Sequence, residues 1–288
     1  MPELPEVEVV KKSLKKNINK LIIKKISIYQ KKLRYPINGK MFKKMINSKI
    51  LSIQRRSKYL LLHLNNSFTI LIHLGMTGKL LLTKPKYGRI KTSFYYSAEN
   101  IKNKHDHFSI SFNKNIKMIY NDVRKFGFIK IEKTNILNKN SHLKSLGPEP
   151  LSTKFNIIYF NSKIKNRKKN LKDLLMDQTI LSGLGNIYSN EVLFLSRLHP
   201  QKSVTTLNRS SIPTLLKNIK STLKKSISLG GSSIKDFNNT SGKEGSFQQF
   251  FNVYGRNGLK CVRKNCNGFI QKVIISNRAT FFCSKCQK

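Results

Sequence analysis

The sequence predicts a multidomain α+β protein, with an antiparallel β-sandwich or barrel behind a leading helix, then a helical region and a terminal cysteine module. Three observations carry this prediction. Residues 20–132 contain short apolar or alternating runs separated by Gly-, Asn- or Lys-rich turns, which is the pattern of antiparallel strands. Apolar residues recur at helical spacing over residues 153–229, and all four cysteines lie within residues 261–286.

The leading helix follows directly after Met-Pro-Glu. Pro5 suits the first turn of a helix, where its missing N–H costs nothing, and Glu6 and Glu8 complement the positive end of the helix. One apolar stripe runs along the predicted helix through Val7, Val10, Leu14 and Ile18. These features explain the local sequence from Pro5 onward, but they do not explain the residues in front of it.

Pro2 and Glu3 are the first candidate functional residues. An initiator methionine is normally removed before proline, which would leave Pro2 with a terminal secondary amine. Such an amine is partly unprotonated at neutral pH, and beside a carboxyl group it is suited to imine chemistry on an aldehyde-like carbon. An incidental Met-Pro start is the alternative that these residues alone leave open.

The spacing of apolar residues divides the middle of the chain into a linker and a helical region. Residues 135–152 contain two prolines and little period, which indicates a linker. Two helices are predicted around a turn with Gly183 and Gly185, a further helix over 212–229 ends at Gly230-Gly231, and polar residues 231–250 are expected to form a mobile loop. The predicted domains are therefore 1–134, 153–257 and 258–288, with 135–152 between the first two.

The last domain is predicted to be a metal site. Cys261 and Cys266 form one close pair, Cys283 and Cys286 form another, and the segment between them alternates as a β-hairpin does. This pattern favours one structural Zn²⁺ held by four thiolates over four free cysteines. A module of this size buries little core, so the metal would supply its folding free energy.

The chain is strongly basic. Lysine and arginine total 56 against 13 acidic residues, a formal charge of +43, which indicates a polyanionic partner and nucleic acid as the first candidate. Lysine supplies most of this charge in a composition typical of AT-rich coding, so the charge alone is weak support. No stretch approaches about 18 apolar residues and no apolar run follows the start, so neither a transmembrane helix nor a signal peptide is expected.

Six motifs stand in one order along the chain: MPELPEVE, QRRSKYLLL, HLGMTG, KHDH, GLGNIY and NRATFFCSKCQ. Together they closely resemble the formamidopyrimidine-DNA glycosylase (Fpg) family, bacterial base-excision enzymes that remove oxidised purines. The resemblance extends from residue 2 to residue 287. It implies an N-terminal catalytic β-sandwich, a helical domain with a helix-two-turn-helix motif, and a zinc-finger hairpin.

The resemblance also implies the catalytic residues. Pro2 would attack C1′ of the damaged nucleotide, expel the base and hold the sugar as an iminium, while Glu3 would act as general acid and base. Lys58 matches the family lysine that contacts phosphate and assists the first elimination. Arg278 matches the arginine assigned to the second elimination.

Further positions match the family's DNA contacts. Met76, Arg124 and Phe126 match the wedge that fills the gap left by a flipped nucleotide. Phosphate contacts are implied for His105, Arg124, Lys168 and Asn186. Without the resemblance, Met76 and Phe126 would be assigned to strand packing, and His105 and Asn186 to turns. Residues 229–250 resemble the loop that covers the everted base.

Four features depart from the family pattern. The first cysteine pair is C-x4-C, where C-x2-C is commonest, so the shape of this knuckle is in doubt. Val123 and Lys125 replace the Pro and the second Arg usually seen around Arg124. Asp173 stands where a proline often follows the lysine of LKDLLMD, and adds a negative charge near the expected DNA-facing surface.

The expected function is that of a bifunctional DNA glycosylase and abasic-site lyase for 8-oxoguanine opposite cytosine and for formamidopyrimidines in double-stranded DNA. A monomer in the bacterial cytoplasm, associated with the nucleoid through DNA, is expected. Three alternatives stay open: an endonuclease VIII-like glycosylase for oxidised pyrimidines, a catalytically inactive protein that binds damaged DNA, and a generic zinc-ribbon binder of nucleic acid.

Overall fold

The computed structural model describes residues 1–85, 88–93, 102–165, 167–232 and 247–288. Its contacts group the chain into two compact units. The first comprises Met1–Lys144 with Leu229–Ser246, and the second comprises Ser145–Ser228 with Phe247–Lys288. The boundary after Lys144 lies inside the predicted linker, while the finer domain limits stay predictions.

The first unit begins with helix α1 (Leu4–Ile18). Glu3 is its N-cap, and Glu3 and Glu6 form a capping box that satisfies amide groups at the open helix end. The predicted stripe is confirmed, because all four of its apolar side chains are fully buried: Val7, Val10, Leu14 and Ile18.

Antiparallel strands follow the helix. They are β1 (Ile23–Ile28), β2 (Ile50–Arg56), β3 (Tyr59–Leu64), β4 (Phe68–His73), β5 (Lys79–Lys84), β6 (Gly88–Lys91), β7 (Asp106–Phe112), β8 (Lys117–Asn121) and β9 (Phe128–Lys133), with a short helix α2 (Gly39–Lys43) after β1. One sheet has the order β1-β7-β8-β5-β6 and the other β2-β3-β4-β9. A shared apolar core takes residues from α1 and from both sheets. The predicted antiparallel sandwich with a leading helix is confirmed.

The second unit is helical. Its helices are α3 (Ile157–Ile164), α4 (Leu171–Met176), α5 (Asn186–Leu195) and α6 (Ser211–Ser228). The turn between α4 and α5 places Gly183 at φ 98, a conformation that glycine adopts without strain. Helix α6 buries the predicted apolar face before Gly230 and Gly231 leave the helix at positive φ. In the part of the chain that the structure describes, no helix is long and apolar enough to cross a membrane.

The second unit ends with the predicted hairpin. Strands β10 (Ile270–Ile275) and β11 (Arg278–Cys283) pair in antiparallel register, with Ile275 opposite Arg278. A small apolar cluster joins this hairpin to α5 and to the segment before the first cysteine, through Phe194, Val253, Ile270 and Phe281. The hairpin is therefore held in place by apolar packing against α5 as well as by the cysteine cluster.

Candidate active site

The residues that follow Met1 are buried in the first unit. Pro2 is buried, and Glu3 is only 2% exposed at the N-terminus of α1. The Glu3 amide donates to Glu6 Oε2 at 2.8 Å, which fixes the backbone of the residue that follows Pro2. Because the first residues are held by a helix cap, the terminal segment has a defined position beside a carboxylate.

Lys58 lies in the tight turn between β2 and β3. It is 6% exposed, and Ser57 before it has φ 55, in the left-handed region. Arg55 ties this turn to the leading helix, because its Nε donates to Glu8 Oε2 at 2.8 Å and its guanidinium donates to the Ser57 carbonyl at 2.8 Å. Arg55 therefore joins the turn that carries Lys58 to helix α1.

The charges around the chain start act on the N-terminal amine. Burial lowers its pKa below the ordinary value of 8.0, the carboxylates of Glu3 and Glu6 oppose this shift, and the cations Lys58 and Arg124 add to it. This amine belongs to Met1, the first residue of the chain. The net shift is toward the uncharged form, which is the protonation state that a nucleophilic amine needs.

His73 ends β4 within the same site. It pairs with Tyr59, the residue after Lys58, across the β3–β4 ladder. Burial lowers the pKa of His73 to about 4, and Lys58 and other nearby cations contribute. The imidazole is therefore neutral at physiological pH, and its Nδ1 accepts the Gly75 amide at 3.2 Å.

The predicted wedge residues lie on two turns that meet backbone to backbone. Met76 is 40% exposed, and Phe126 is 45% exposed. A Cβ atom on Gly75 would lie 2.4 Å from the Gly127 nitrogen, so this approach requires glycine. Gly75 also has φ 61. The two glycines bring the exposed apolar side chains of separate turns together.

Asp122 holds both turns in place. This fully buried carboxylate accepts from Thr77 Oγ1 at 2.5 Å, from the Gly127 amide at 2.9 Å and from the Arg124 amide at 3.2 Å. Tyr120 also donates to it at 3.3 Å. Burial and the neighbouring carboxylate raise the pKa of Tyr120 well above its ordinary value, so the phenol stays a donor.

Arg124 and His105 border these turns. The Arg124 guanidinium lies 4.5 Å from the centre of the Phe126 ring, a cation–π contact that orients both exposed side chains. His105 lies on a 3-10 turn, and its carbonyl accepts the Asp122 amide at 3.0 Å. Its pKa is lowered by burial and by nearby cations, among them Lys104. The structure thus brings Met76, Arg124, Phe126 and His105 around one buried acid.

The other predicted DNA contacts lie in the second unit. Asn186 begins α5 and donates through Nδ2 to the Ala279 carbonyl at 2.9 Å. Lys168 is exposed on the segment before α4, and Arg278 is exposed at the start of β11. Asn186 and Arg278 are therefore neighbours, because Ala279 follows Arg278 directly.

Two charged residues of α4 contact the same hairpin. Lys172 is fully buried and donates to Thr280 Oγ1 and to the Ala279 carbonyl. Burial lowers its pKa to about 8; Asp173 opposes the shift and Arg278 adds to it. Asp173 accepts from Ser276 Oγ at 2.7 Å. This acid, predicted only to lie near a DNA-facing surface, has a defined partner on the hairpin.

The four cysteines meet at the end of the second unit. Their sulfur atoms all lie within 4.8 Å of one another, with 3.9 Å between Cys261 and Cys286 and 3.7 Å between Cys266 and Cys283. A tetrahedral ion with metal–sulfur bonds of about 2.3 Å separates its sulfurs by about 3.8 Å, whereas a disulfide separates them by about 2.05 Å. The cluster suits a metal ion.

The C-x4-C knuckle accommodates its extra residues without losing a ligand. The chain turns at Asn265, which has φ 62, and the Cys261 amide donates to the Gly268 carbonyl at 2.8 Å. Arg263, inside the knuckle, donates to the Phe194 carbonyl at 2.7 Å. Arg263 therefore joins the knuckle to the end of α5.

The covering loop predicted over 229–250 is described only at its ends, because 233–246 lie outside the described residues. At its start, the Ser232 amide and hydroxyl donate to Glu6 Oε1 at 2.8 and 2.9 Å. Glu6 thus contacts the loop start through one oxygen and the Glu3 amide through the other.

Sequence reasoning missed Asp122 and most of what Glu6 does. Asp122 directly follows an apolar strand, in a chain with only 13 acidic residues, and that position is the signal that could have singled it out. Glu6 was assigned to the helix end alone. Its contact with Ser232 joins residues 226 positions apart, so no local pattern indicates it.

Comparison with known proteins agrees with this arrangement. The formamidopyrimidine-DNA glycosylase N-terminal domain matches residues 1–129, and the formamidopyrimidine-DNA glycosylase H2TH domain matches residues 146–238. A formamidopyrimidine-DNA glycosylase of Rickettsia felis is 40% identical over 287 residues, covering 100% of this chain and 98% of the relative. One from Rickettsia bellii is 39% identical over 288 residues, covering 100% of both.

Solved structures show the same likeness. Lactococcus lactis Fpg in complex with abasic-site DNA matches with a TM-score of 0.84 and 36% identity, covering 99% of each chain. The wild-type form of that protein, in complex with DNA that contains N7-benzyl-Fapy-dG, matches with a TM-score of 0.84 and 36% identity, covering 100% of each chain. The predicted resemblance is confirmed: this chain belongs to the formamidopyrimidine-DNA glycosylase family.

Proposed function

We propose that this protein is a bifunctional DNA glycosylase and abasic-site lyase that excises oxidised purines, 8-oxoguanine and formamidopyrimidines, from double-stranded DNA in base excision repair. The observation that carries the proposal is that Pro2, Glu3 and Lys58 are buried around the chain start, where the terminal amine, that of Met1, has a lowered pKa. The enzyme would act in the bacterial cytoplasm and associate with the nucleoid through DNA.

Pro2 would be the nucleophile once Met1 is removed. Its nitrogen would form a bond to C1′ of the damaged nucleotide while the bond between C1′ and the base breaks, and the base would leave with the electron pair. Glu3 would act as general acid and base at the sugar ring: it would take the proton that the Pro2 nitrogen loses and give a proton to O4′. The C1′–O4′ bond would then break as the nitrogen lone pair forms the iminium. The helix cap that fixes the Glu3 backbone supports this assignment, because general acid–base catalysis requires a carboxyl held within hydrogen-bond reach.

Two eliminations would follow from the iminium. In the first, loss of the C2′ proton breaks the bond to the 3′ phosphate, and Lys58 would contact that phosphate. In the second, loss of the C4′ proton breaks the bond to the 5′ phosphate, and Arg278 would assist its departure. A buried ammonium and an exposed guanidinium both suit phosphate anions, which supports these two roles.

Access to the nucleotide would require base flipping. Met76, Arg124 and Phe126 would fill the gap in the duplex, and their exposure on two turns held by Asp122 supports this use. Phosphates along the backbone would be held by His105, Arg124, Lys168 and Asn186, which would fix register without reading sequence.

The four cysteines would hold one structural Zn²⁺. Four thiolates at tetrahedral spacing are the donor set of structural zinc sites. The ion would stabilise the hairpin that carries Arg278.

Borohydride trapping tests the proposal. Protein that begins at Pro2 is incubated with a duplex that contains 8-oxoguanine opposite cytosine, and the expected result is a covalent protein–DNA band. The band should be absent for Pro2→Gly and for protein that retains Met1. No band from protein that begins at Pro2, holds zinc and binds the duplex would reject the lyase mechanism and leave the damage-binding alternative.

The same assay separates the lesion classes. A parallel duplex with an oxidised pyrimidine should be trapped more slowly than the one with 8-oxoguanine. The opposite order would favour an endonuclease VIII-like preference while leaving the iminium mechanism intact.

A further inference from the structure

Two consecutive residues at the tip of the β10–β11 hairpin have a left-handed backbone conformation. Ser276 has φ 47 and Asn277 has φ 59, so both lie in the left-handed region. Asparagine adopts this region readily, whereas serine does so rarely. Arg278 follows directly as the first residue of β11. The conformation of this tip therefore decides where the Arg278 backbone begins.

Asp173 contacts the tip from helix α4. The Ser276 hydroxyl donates to Asp173 Oδ2 at 2.7 Å, a bond strengthened by the charge of the acceptor. Asp173 is itself held at the helix start, because its amide donates to Asn170 Oδ1 at 2.8 Å and Asn170 Nδ2 donates to Asp173 Oδ2 at 2.7 Å. The carboxylate thus has a fixed position from which to hold the serine.

The chain on the other side of Arg278 is held as well. The Ala279 carbonyl accepts from Asn186 and from Lys172, and the Phe281 amide donates to Asn190 Oδ1 at 2.9 Å. These three side chains come from α4 and α5. Arg278 therefore lies between two anchored segments, and the Asp173–Ser276 contact is the anchor on its N-terminal side.

We propose that Asp173 is a positioning residue for Arg278 and acts through the Ser276 hydroxyl. The inference rests on the proposed role of Arg278 in the second elimination. Proline, the residue often found at this position in the family, has no side-chain acceptor, so this anchor depends on the residue that this chain carries. Loss of the anchor would leave Arg278 present but less often placed at the departing phosphate.

The test measures how abasic-site DNA is cut in single-turnover reactions. Strands that end in a 3′ unsaturated aldehyde report the first elimination alone, and strands that end in a 3′ phosphate report both. Asp173→Ala and Ser276→Ala should each lower the rate of the second elimination relative to the first by about twofold to tenfold, the range of one hydrogen bond. The rate of borohydride trapping should not change, because Arg278 acts after the iminium forms.

Two further variants sharpen the result. Asp173→Asn keeps an acceptor oxygen for Ser276 without the charge, and should lose less than Asp173→Ala. Ser162→Ala is the matched control, because it removes an exposed hydroxyl that donates at 2.8 Å to the Tyr159 carbonyl on α3. Its product ratio should equal that of the parent protein. Ser276 is exposed, so its variant tests the inference even if Asp173→Ala destabilises α4.

The double variant and Arg278→Ala separate the possible outcomes. Asp173→Ala/Ser276→Ala should lose no more than the more affected of the two single variants, since both remove the Asp173–Ser276 bond; additive losses would overturn the inference. If Arg278→Ala abolishes the second elimination while the Asp173 and Ser276 variants leave it unchanged, the positioning inference fails and the proposed function stands. If Arg278→Ala itself changes nothing, the proposed role of Arg278 fails and the inference fails with it.

Discussion

Asp122→Ala should destabilise the first unit and uncouple base excision from abasic-site cleavage. The variant removes an acceptor shared by Thr77, Arg124, Gly127 and Tyr120. The Arg124 amide keeps a bond to Thr77 Oγ1 at 3.0 Å, so its loss is partial. The Gly127 amide, however, loses the acceptor that lies 2.9 Å away, inside the protein.

The magnitude follows from these contacts. A buried amide left without an acceptor costs about 1–3 kcal/mol, and a lost hydrogen bond to a charged group costs about 1.5–3 kcal/mol. For the Gly127 amide and the Thr77 hydroxyl together, the free energy of unfolding should fall by roughly 3–5 kcal/mol, measured by urea titration. Tyr120→Phe removes a single donor and should cost only about 0.5–1.5 kcal/mol.

The effect on activity should be selective. Displacement of the turns that carry Met76 and Phe126 should slow excision of 8-oxoguanine by about tenfold to a hundredfold. Cleavage at a preformed abasic site should fall less, because a nucleotide without a base costs less to extrude from the duplex. Both rates are measured in single turnover without urea, at a temperature where circular dichroism shows the variant folded.

Asp122→Asn separates charge from shape. Its amide oxygen can still accept from Gly127, so the loss of stability should be smaller than for Asp122→Ala. Equal losses of excision and abasic-site cleavage, or parent-like stability of Asp122→Ala, would refute the assignment of this carboxylate as the support of both turns.

Four further results are expected. Lys58→Met should move the acid limb of the trapping rate to higher pH. The Lys58 charge lowers the pKa of the Met1 amine at the chain start, and we expect the same effect on the Pro2 amine once Met1 is removed; an unmoved limb would contradict this. Glu8→Gln should lower the free energy of unfolding by about 0.5–1 kcal/mol at neutral pH. Burial raises the Glu8 pKa, but hydrogen bonds from Lys11 and Arg55 outweigh this effect and hold the pKa below 4.5. The stability that Glu8 contributes is therefore present above pH 4.5 and is lost as the pH falls through the depressed pKa. Urea titrations over the acid range should show this loss. Chelation should release one zinc per chain and make the C-terminal hairpin sensitive to protease, whereas release without new cleavage would show that the metal is not structural. Affinity for duplex DNA should fall steeply between about 50 and 200 mM salt, and a flat response by fluorescence anisotropy would argue against phosphate contacts.

Much of the candidate site could be predicted from the sequence, because its residues interact with near neighbours along the chain. Proline at the second position, carboxylates at a helix start and cysteines in two close pairs carry their meaning in their spacing, because caps and metal knuckles are built from neighbours along the chain. The alternation of apolar residues indicated antiparallel strands for the same reason. The family resemblance singled out Lys58 and Arg278, which composition could not have done in so basic a chain.

Only the tertiary structure decided which distant residues support these groups. Asp122 accepts a hydrogen bond from Thr77, in the HLGMTG turn, 45 positions away. Glu6 contacts Ser232, which lies 226 positions along the chain, and Asp173 contacts Ser276, 103 positions along the chain. The sequence also did not determine that the strands form two sheets, in the orders β1-β7-β8-β5-β6 and β2-β3-β4-β9. Sequence periodicity reports which face of an element is buried, whereas the partner on that face depends on how the whole chain packs.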